Sequence, residues 1–569
     1  MSFVSNGEIY LVDINGGSPR QLTVGDSGKT RGLADYIAQE EMQRGTGYWW
    51  SKDSSYIAFT EVDERMVSEF NIAHIGKDSY GPEVYEQHRY PFAGDINPDV
   101  KLGVIQVSSG DIRWINTDKY EYIARIDWLD DQRLFVQLQD RSQKNLQVSC
   151  FDVTDLLERP ILSESSDNWI NLHNMFRPVD GNRFIWASER SGFMHLYLYS
   201  VDGTLIRQIT SGEWQVDAVA GIDRKTEKVY FMATLEDAKE RHLYRIDFDG
   251  TKLEKLTSIP GVHSVFMNVK SDRFVDIYHS LVQPPSINIC SVNTGAIERN
   301  IFLQDYVHIS GIDLKPPEMI SLITPEGTEL FGAIYKPDKQ YGDGPFPTVV
   351  SVYGGPHAQM VTNGWNMTVA MRAQYLREKG FLVFVLDNRG SSRRGATFES
   401  VIKGNMGNLE VEDQEFGLNW LISQGLADKN RIGIYGWSYG GYMALMCLAK
   451  KPNLFKCAVA GAPVTSWDGY DTHYTERYMG TPEENRAGYE KSNVMAHVKN
   501  IEGELLLVHG LIDENVHFRH TARLINSLIS ENKSYNLLIF PDERHMPRRQ
   551  ADRAYMETKI ADFFLKSLT

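Results

Sequence analysis

The sequence has few cysteines and no long apolar run, and both absences narrow the classes of protein to which it can belong. Only four cysteines occur in 569 residues, and none stands in a Cys-x-x-Cys spacing. Neither a disulfide framework nor a cysteine-based metal or redox site is therefore expected. No apolar stretch approaches the roughly 18 residues that cross a bilayer, and the first residues lack the basic end and apolar core of a signal peptide. We therefore expect a reducing, cytoplasmic compartment.

Positive charge is also scarce. Lys and Arg number 59 against 75 Asp and Glu, which gives a net charge of −16. Nucleic acids and anionic membranes require a basic surface, so neither is expected as a partner. No metalloprotease helix motif, phosphate-binding loop or dinucleotide-binding glycine motif occurs, so no metal and no cofactor are expected. An acidic chain suits a substrate that carries positive charge.

Residues 1–308 are predicted to form a β-propeller. Short strand-like segments alternate with turns rich in Asp, Gly, Asn and Ser, and one strand–turn–strand pattern recurs at Glu8, His195 and His242. The last two copies are 47 residues apart, and the first lies 187 residues before the second, almost four such steps. A period in the 40s is typical of propeller blades. We expect about six blades between residues 24 and 303, and an earlier blade closed by residues 8–23, so the propeller is expected to be N-terminally incomplete.

Residues 309–569 show a different pattern, in which apolar strands alternate with helices. Helical stretches such as Glu410–Ser423 and Arg519–Ser530 separate the strands. Apolar runs separated by helices predict a doubly wound, mostly parallel sheet. The predicted strands are Thr348–Tyr353, Phe381–Leu386, Arg431–Tyr435, Cys457–Ala460, Leu505–His509 and Leu537–Phe540.

A Gly-x-Ser-x-Gly motif centred on Ser438 lies between one of these strands and an apolar helix. This context is typical of the nucleophile elbow of α/β-hydrolases, which predicts Ser438 as a nucleophile. The acid and the base should follow in that order. Asp513 and His545 come after the last two strands, at the sheet edge where open α/β sheets assemble their sites. The sequence leaves four rivals open, namely His509, His517, Glu514 and Asp542.

Two donors are predicted for the oxyanion that forms during acyl transfer. One is the backbone N–H of Tyr439, the residue after the nucleophile. The other is the hydroxyl of Tyr353, which begins a Tyr-Gly-Gly-Pro turn at the end of a strand. From the residues alone, Tyr353 is equally well explained as a packed aromatic side chain.

Several longer motifs resemble one known family. Gly436-Trp-Ser-Tyr-Gly-Gly-Tyr442, Val352-Tyr-Gly-Gly-Pro356 and Tyr474-Thr-Glu-Arg-Tyr-Met-Gly480 are similar to the prolyl oligopeptidase superfamily, and in particular to its dipeptidyl peptidase IV branch. Gln39-Glu40-Glu41, with Glu543-Arg-His545, resembles most the cytosolic dipeptidyl peptidases eight and nine. The resemblance covers nearly all of residues 310–569 and is thinner in the propeller.

The resemblance implies a serine exopeptidase that removes N-terminal dipeptides with Pro or Ala at the second position. It implies a triad of Ser438, Asp513 and His545 and oxyanion donors at Tyr353 and Tyr439. Glu40 and Glu41 would bind the free α-amino group, two residues from the scissile bond, and Asn515 would bind a substrate carbonyl. The implied proline pocket consists of Tyr439, Val464, Trp467, Tyr470, Tyr474 and Val516.

Other readings remain open at this point. The same architecture serves prolyl endopeptidases and acylaminoacyl-peptidases, against which the Glu pair argues because those enzymes need not recognise a free amine. A truncated, inactive interaction scaffold built on the propeller is a third reading. The family also implies a further Arg near the Glu pair, to which no position of this chain can be matched, and homodimers formed through the hydrolase domain.

Overall fold

The computed structural model describes residues 1–78, 81, 84–268, 272–303 and 311–569. The predicted domain boundary at residues 308 and 309 lies outside the described residues. On either side of it the described chain forms two architectures, antiparallel sheets followed by one large mixed sheet.

Among the described residues before 304, six antiparallel sheets of three or more strands follow one another, in addition to one two-stranded pair. The first holds β1 (Ser2–Ser5), β2 (Glu8–Leu11) and β3 (Arg20–Gln21), and the second holds β4 (Lys29–Arg31), β5 (Tyr48–Trp50), β6 (Tyr56–Asp63), β9 (Asp99–Gln106) and β10 (Ile112–Ile115). The third sheet holds β11 (Tyr122–Trp128), β12 (Arg133–Gln139), β13 (Asn145–Asp152) and β14 (Glu158–Ser165). The fourth holds β15 (Arg177–Pro178), β16 (Arg183–Ser188), β17 (His195–Ser200) and β18 (Leu205–Gln208). The fifth sheet holds β19 (Val216–Asp223), β20 (Lys228–Ala233), β21 (His242–Asp247) and β22 (Glu254–Lys255). The sixth holds β23 (Val262–Met267), β24 (Arg273–His279), β25 (Ser286–Ser291) and β26 (Ile297–Leu303).

Neighbouring sheets share their apolar cores, as the blades of a propeller do. Leu102 of the second sheet and Leu134 of the third are buried in one cluster, and Phe135 of the third shares another cluster with Phe184 of the fourth. The same face-to-face packing joins the fourth sheet to the fifth and the fifth to the sixth. The predicted propeller fold is therefore confirmed.

The predicted number of blades is wrong by one. Between residues 29 and 303 the described chain forms five sheets of four or five strands, where six were expected. The second sheet runs from Lys29 to Ile115, nearly twice the 47-residue repeat, because it contains helix α1 (Tyr36–Glu40) and a separate antiparallel pair, β7 (Glu69–Ala73) with β8 (Tyr85–Arg89). The step from Glu8 to His195 therefore spans three sheets and not four.

The second architecture is an eight-stranded sheet in the order β27-β28-β30-β29-β31-β32-β33-β34. Its first three strands pair antiparallel and all the others pair parallel, which confirms the predicted doubly wound, mostly parallel sheet. The strands are β27 (Glu318–Ile323), β28 (Glu329–Tyr335), β29 (Phe346–Val352), β30 (Leu382–Asp387), β31 (Ala427–Trp437), β32 (Cys457–Gly461), β33 (Glu504–Gly510) and β34 (Asn536–Phe540).

Helices cover both faces of this sheet. One core cluster joins α5, α6 and α9 to one face, and a second joins α3 and α10 to the other. The α-helices are α2 (Trp365–Thr368), α3 (Met371–Glu378), α4 (Ala396–Ser400), α5 (Leu409–Ser423), α6 (Tyr439–Lys450), α7 (Thr472–Met479), α8 (Arg486–Ser492), α9 (Arg519–Ser530) and α10 (Gln550–Leu568), with 3₁₀ turns at Lys339–Tyr341, Trp467–Gly469 and Val494–Asn500. No helix within the described ranges is long and apolar enough to cross a membrane.

Candidate active site

The turn between β31 and α6 holds Ser438 in a backbone conformation that side-chain-bearing residues rarely adopt, with φ of +58°. A Cβ atom at Gly436 would lie 1.9 Å from the carbonyl oxygen of Gly440, and one at Gly440 would lie 2.3 Å from that of Val352. Glycine is therefore required at both positions by close backbone approach. The N–H of Ser438 donates to the Gly461 carbonyl at 2.8 Å, which fixes the turn against the next strand. This strained strand–turn–helix unit has the geometry of a nucleophile elbow.

Asp513 and His545 form a hydrogen-bonded pair. Nδ1 of His545 lies 2.8 Å from Oδ2 of Asp513. The other carboxylate oxygen of Asp513 accepts from the backbone N–H groups of Asn515 at 3.0 Å and Val516 at 2.9 Å. Because Asp513 is only 1% exposed, these bonds hold its carboxylate in one orientation toward the imidazole.

Asp513 and His545 each stabilise the charged form of the other. Burial disfavours charge on Asp513, but the hydrogen bonds from His509 and His545 hold the pKa of its carboxyl below the usual range. Burial also disfavours protonation of His545, yet the hydrogen bond and the charge of Asp513, with Glu40 and Glu514 further away, raise the pKa of the imidazole. His545 therefore accepts a proton more readily than an isolated histidine does.

The four rivals occupy other places. Nε2 of His509 lies 3.2 Å from Oδ2 of Asp513 and its Nδ1 lies 2.8 Å from the Thr521 hydroxyl, so this ring is buried behind the pair. His517 is stacked on Phe70 of the propeller with ring centroids 3.9 Å apart. Glu514 accepts a hydrogen bond from Arg544 at 3.1 Å. The Asp542 carboxylate lies beside Gly76, where an added Cβ would come within 2.5 Å of Oδ1.

Most of the predicted residues line one cleft of about 450 Å³ between the propeller and the hydrolase sheet. Its walls bring together eight predicted residues, namely Glu40, Glu41, Tyr353, Ser438, Tyr470, Tyr474, Asn515 and His545. Trp437 and Met546 also line it, and the sequence reasoning missed both, although each is adjacent to a predicted residue. Ser438 and His545 therefore face the same space as the two glutamates from the other domain.

The two predicted oxyanion residues lie side by side, with ring centroids 6.0 Å apart. Burial, and secondly the negative charge of Glu41, raise the pKa of Tyr353 to about 12, so its hydroxyl keeps the proton that it would donate. The Tyr439 hydroxyl donates to Glu410 at 2.8 Å. Its backbone N–H belongs to the first turn of α6, where N–H groups have no acceptor within the helix.

The predicted proline-pocket residues come together beside Ser438. The rings of Trp467 and Tyr474 are stacked at 6.0 Å, and Tyr470 meets Tyr474 edge to face at 5.3 Å. The other members, Tyr439, Val464 and Val516, are buried in the same cluster as these three. Tyr470 and Tyr474 face the cleft while the others pack behind them, which makes one apolar, aromatic wall.

The Glu pair lies at the C-terminal end of α1, where the helix dipole disfavours negative charge. The Asp35 side chain caps the other end of this helix by accepting from the Ala38 N–H at 3.0 Å. Asn515 donates to Glu40 at 3.0 Å and accepts from the Tyr470 hydroxyl at 2.7 Å. Two domains thus meet at this point through side chains that both belong to the predicted substrate site.

Asp471 is a member of this site that the sequence reasoning missed. Burial, and secondly the neighbouring Asp471 carboxyl, raise the pKa of Glu41 well above its usual value. Burial likewise raises the pKa of Asp471 to about 6. The sequence signal at Asp471 is that of a helix cap, and its carboxylate does accept the Tyr474 N–H at 2.9 Å. Its second contact, with a residue 430 positions earlier in the chain, has no local signature.

Comparison with known proteins agrees with this architecture. Residues 1–285 match the model of the dipeptidyl peptidase IV N-terminal region, and residues 367–569 match that of the prolyl oligopeptidase family. Dipeptidyl peptidase 8 of Mus musculus and that of Homo sapiens are each 32% identical, over 100% of this chain and 74% of theirs. Probable dipeptidyl-aminopeptidase B of Emericella nidulans is 31% identical over 96% of this chain and 64% of its own.

Two solved structures superpose along the whole chain. Dipeptidyl peptidase 4 of Porphyromonas gingivalis matches with a TM-score of 0.92 and 27% identity, over 100% of this chain and 81% of its own. A putative dipeptidyl aminopeptidase IV of Bacteroides ovatus matches with a TM-score of 0.88 and 26% identity, over 100% of this chain and 88% of its own. The fold, the elbow and these matches define a serine peptidase of the prolyl oligopeptidase family. Within that family the chain belongs to the dipeptidyl peptidase IV branch, so that it is a serine dipeptidyl peptidase, as the resemblance predicted.

Proposed function

We propose that the protein releases N-terminal X-Pro or X-Ala dipeptides from peptides, with Ser438 as nucleophile, His545 as base and Asp513 as the acid that orients it. One observation carries this proposal. The two glutamates of the propeller and Ser438 of the hydrolase domain line the same cleft. A site for a free amine and a site for acyl transfer therefore lie within one small volume, as release of short N-terminal pieces requires.

The chemistry follows the contacts of each residue. Ser438 attacks the carbonyl carbon of the second substrate residue while Nε2 of His545 takes the hydroxyl proton. His545 then gives that proton to the departing amine, and water repeats the sequence to release the dipeptide. Asp513 holds the Nδ1 proton through its 2.8 Å contact and so fixes the tautomer that the reaction needs. The Tyr353 hydroxyl and the Tyr439 N–H stabilise the oxyanion.

The preference for proline is explained by the aromatic wall beside Ser438. A pyrrolidine ring buries its apolar surface against Tyr470 and Tyr474, and ring-to-ring contacts with Trp467 behind them hold these two rings in place. Larger side chains find no room within such a wall, whereas the methyl group of alanine fits with fewer contacts. At the second position of the substrate we therefore expect proline to be preferred over alanine.

The first substrate residue is selected by its charge. Its ammonium group forms charge-assisted hydrogen bonds with Glu40 and Glu41. The carboxyl groups of Glu41 and Asp471 repel each other when both are ionised, which is part of the reason why the pKa of Glu41 is raised. A bound ammonium relieves that repulsion, so this site gains most from a cationic ligand. We assign to Asn515 a hydrogen bond to the carbonyl of the first substrate residue, which its contact with Glu40 supports.

We further propose peptides with a free N-terminus as partners, a homodimer as the assembly, and the cytoplasm as the compartment. All four cysteines are buried and unpaired, which suits a reducing environment. We assign residues 1–308 to the propeller, which recognises the amine, and residues 309–569 to the catalytic α/β-hydrolase domain. An endopeptidase is less well supported, because an acylated chain would leave the Glu pair desolvated without a cation.

Product analysis tests this function directly. A decapeptide that begins Gly-Pro, with a free amine, is incubated with the protein and its products are identified by mass spectrometry. We expect the Gly-Pro dipeptide and the octapeptide that remains. Cleavage only at internal positions, or no cleavage while Ser438 still reacts with a fluorophosphonate probe, would contradict the proposal.

A further inference from the structure

Arg544 ties three separate segments together beside the catalytic pair. Its guanidinium donates two hydrogen bonds to Glu86 on β8 of the propeller, at 3.0 and 2.9 Å. It donates to Glu514 at 3.1 Å. Arg544 directly precedes His545, and Glu514 directly follows Asp513. One side chain therefore bridges the loop of the base, the loop of the acid and a strand of the other domain.

Glu86 is itself held in place by two histidines of the β7–β8 pair. Nε2 of His74 lies 2.7 Å from one carboxylate oxygen, and Nε2 of His88 lies 2.5 Å from the other. The ion pair of Glu86 with Arg544 is only about one-quarter exposed. Nη2 of Arg544 contacts both carboxylate oxygens of Glu86 while Nη1 contacts Glu514. A charge-assisted contact between partly buried groups that have further partners is stronger than an ordinary surface ion pair.

The β7–β8 region of the propeller also contacts the loop that carries Asp513, at a second point. The His517 ring is stacked on Phe70 at 3.9 Å and lies 4.5 Å from the ring of Tyr90. The Tyr90 hydroxyl donates to the backbone carbonyl of Asn515 at 3.1 Å. Gly76 also lies close to Pro541, just before the base loop, because a Cβ added to this glycine would come within 3.1 Å of the Pro541 side chain.

We propose that Arg544, anchored by Glu86, is a positioning residue that sets the distance between the Asp513 and His545 loops and so keeps their hydrogen bond competent for catalysis. The inference rests on the proposed roles of Asp513 and His545. It extends them by assigning to the propeller a part in the chemistry besides substrate recognition, because β8 fixes a group located one residue from the base.

The charges around His545 give this role a signature that a merely structural role lacks. The ionisable groups that raise the pKa of the His545 imidazole are Asp513, Glu40 and Glu514, and Arg544 forms an ion pair with Glu514 at 3.1 Å. Arg544→Ala/Glu514→Gln removes both charges of this ion pair together, so that a shift of the His545 pKa in this variant reports on the bond to Asp513. Because that bond raises the pKa of His545 and the reaction needs neutral imidazole, loosening it should move the acid limb of activity to lower pH.

The experiment compares Arg544→Ala, Arg544→Lys, Arg544→Ala/Glu514→Gln and the charge swap Glu86→Arg/Arg544→Glu. The readouts are kcat and KM for a free-amine Gly-Pro amide, and the pH dependence of the rate at which a fluorophosphonate labels Ser438. Arg159→Ala, which removes an exposed ion pair with Asp155 in the propeller, is the matched control. Thermal melting shows whether each variant is folded.

For Arg544→Ala we expect kcat to fall about tenfold to 10²-fold with a smaller change in KM, since an error of about 1 Å in a catalytic group costs up to about 10²-fold. In Arg544→Ala/Glu514→Gln the acid limb of labelling should move to lower pH, because the bond to Asp513 is loosened while the two opposite charges are removed together. Arg544→Lys should keep the limb in place with an intermediate rate, and the charge swap should recover part of kcat.

Unchanged kcat in folded Arg544→Ala, or an unmoved acid limb in folded Arg544→Ala/Glu514→Gln, would overturn the proposal. So would a loss in Arg159→Ala as large as that in Arg544→Ala. If Arg544→Ala does not fold, Arg544→Lys decides, because a single ammonium nitrogen cannot reproduce the bridge from Nη1 to Glu514 and from Nη2 to Glu86. Parental kcat in that variant would contradict the proposal. Labelling of Ser438 in the parent without release of any dipeptide would refute the proposed function instead, and the labelling rates of the variants would still test Arg544.

Discussion

The amide of Asn515 donates a hydrogen bond of 3.0 Å to the carboxylate of Glu40, across the junction of the two domains. Asn515 lies two residues after Asp513, whose carboxylate accepts the Asn515 N–H at 3.0 Å. The glutamate that we propose to bind the substrate amine is thus linked to the proposed catalytic acid through one residue. In the proposed function, the distance from this glutamate to Ser438 determines the length of the released piece.

Replacing Ser438 with alanine should lower kcat/KM by about 10³-fold or more, because the attacking oxygen is lost while the binding groups remain. A fluorophosphonate probe should label the parent and leave Ser438→Ala unlabelled. Ser492→Ala, a change at a buried serine of α8, serves as the control and should be labelled at the parental rate. Parental labelling of Ser438→Ala would assign the nucleophile elsewhere.

The Tyr353 hydroxyl should act on the transition state and not on the bound substrate. Tyr353→Phe is therefore expected to lower kcat by about 10²- to 10³-fold, the usual effect of losing one oxyanion donor, with little change in KM. Steady-state kinetics on a Gly-Pro amide measures both. An increase in KM alone, with kcat maintained, would show that Tyr353 is only part of the pocket wall.

The pH dependence of kcat/KM should have an acid limb set by His545. Because Asp513 raises the pKa of this imidazole and the reaction needs its neutral form, the limb should lie above the ordinary histidine value of about 6.5. Asp513→Asn removes the charge, so the limb should move to lower pH while kcat falls by about 10⁴-fold. Asp542→Asn, the rival on the base loop, should change neither. A limb that stays in place in Asp513→Asn would exclude Asp513 as the partner of His545.

Motifs with local causes were readable in the sequence. The elbow could be predicted because close backbone approach requires glycine at Gly436 and Gly440, and the bounds of α9 were predicted as Arg519–Ser530, as observed. The number of blades could not be predicted, because α1 and the β7–β8 pair lie between strands of the second sheet. They make the segment that forms this sheet longer than the 47-residue repeat. A period measured between two regular copies says nothing about insertions elsewhere.

Contacts between residues far apart in the chain were the second feature that could not be predicted from the sequence. Glu40 and Glu41 were identified only through their resemblance to a family, because two adjacent glutamates are usually a solvated surface. The Asp471 carboxyl beside Glu41 and the Arg544 bridge to Glu86 join residues that are hundreds of positions apart. Neither produces a local pattern, so each could be seen only once the propeller was placed against the hydrolase sheet.

The central claim is that Glu40 and Glu41 make the protein an exopeptidase, and its most direct test compares a Gly-Pro amide having a free amine with its N-acetylated analogue. Acetylation leaves desolvated carboxylates without a cation, a loss of about 2–5 kcal/mol, which corresponds to about 30-fold to several thousand-fold in kcat/KM. Glu40→Gln/Glu41→Gln should reduce that ratio toward one by slowing only the free-amine substrate, while Glu213→Gln on an exposed propeller turn should leave the ratio unchanged. Comparable kcat/KM values for the two substrates in the parent protein would contradict the account and favour an endopeptidase.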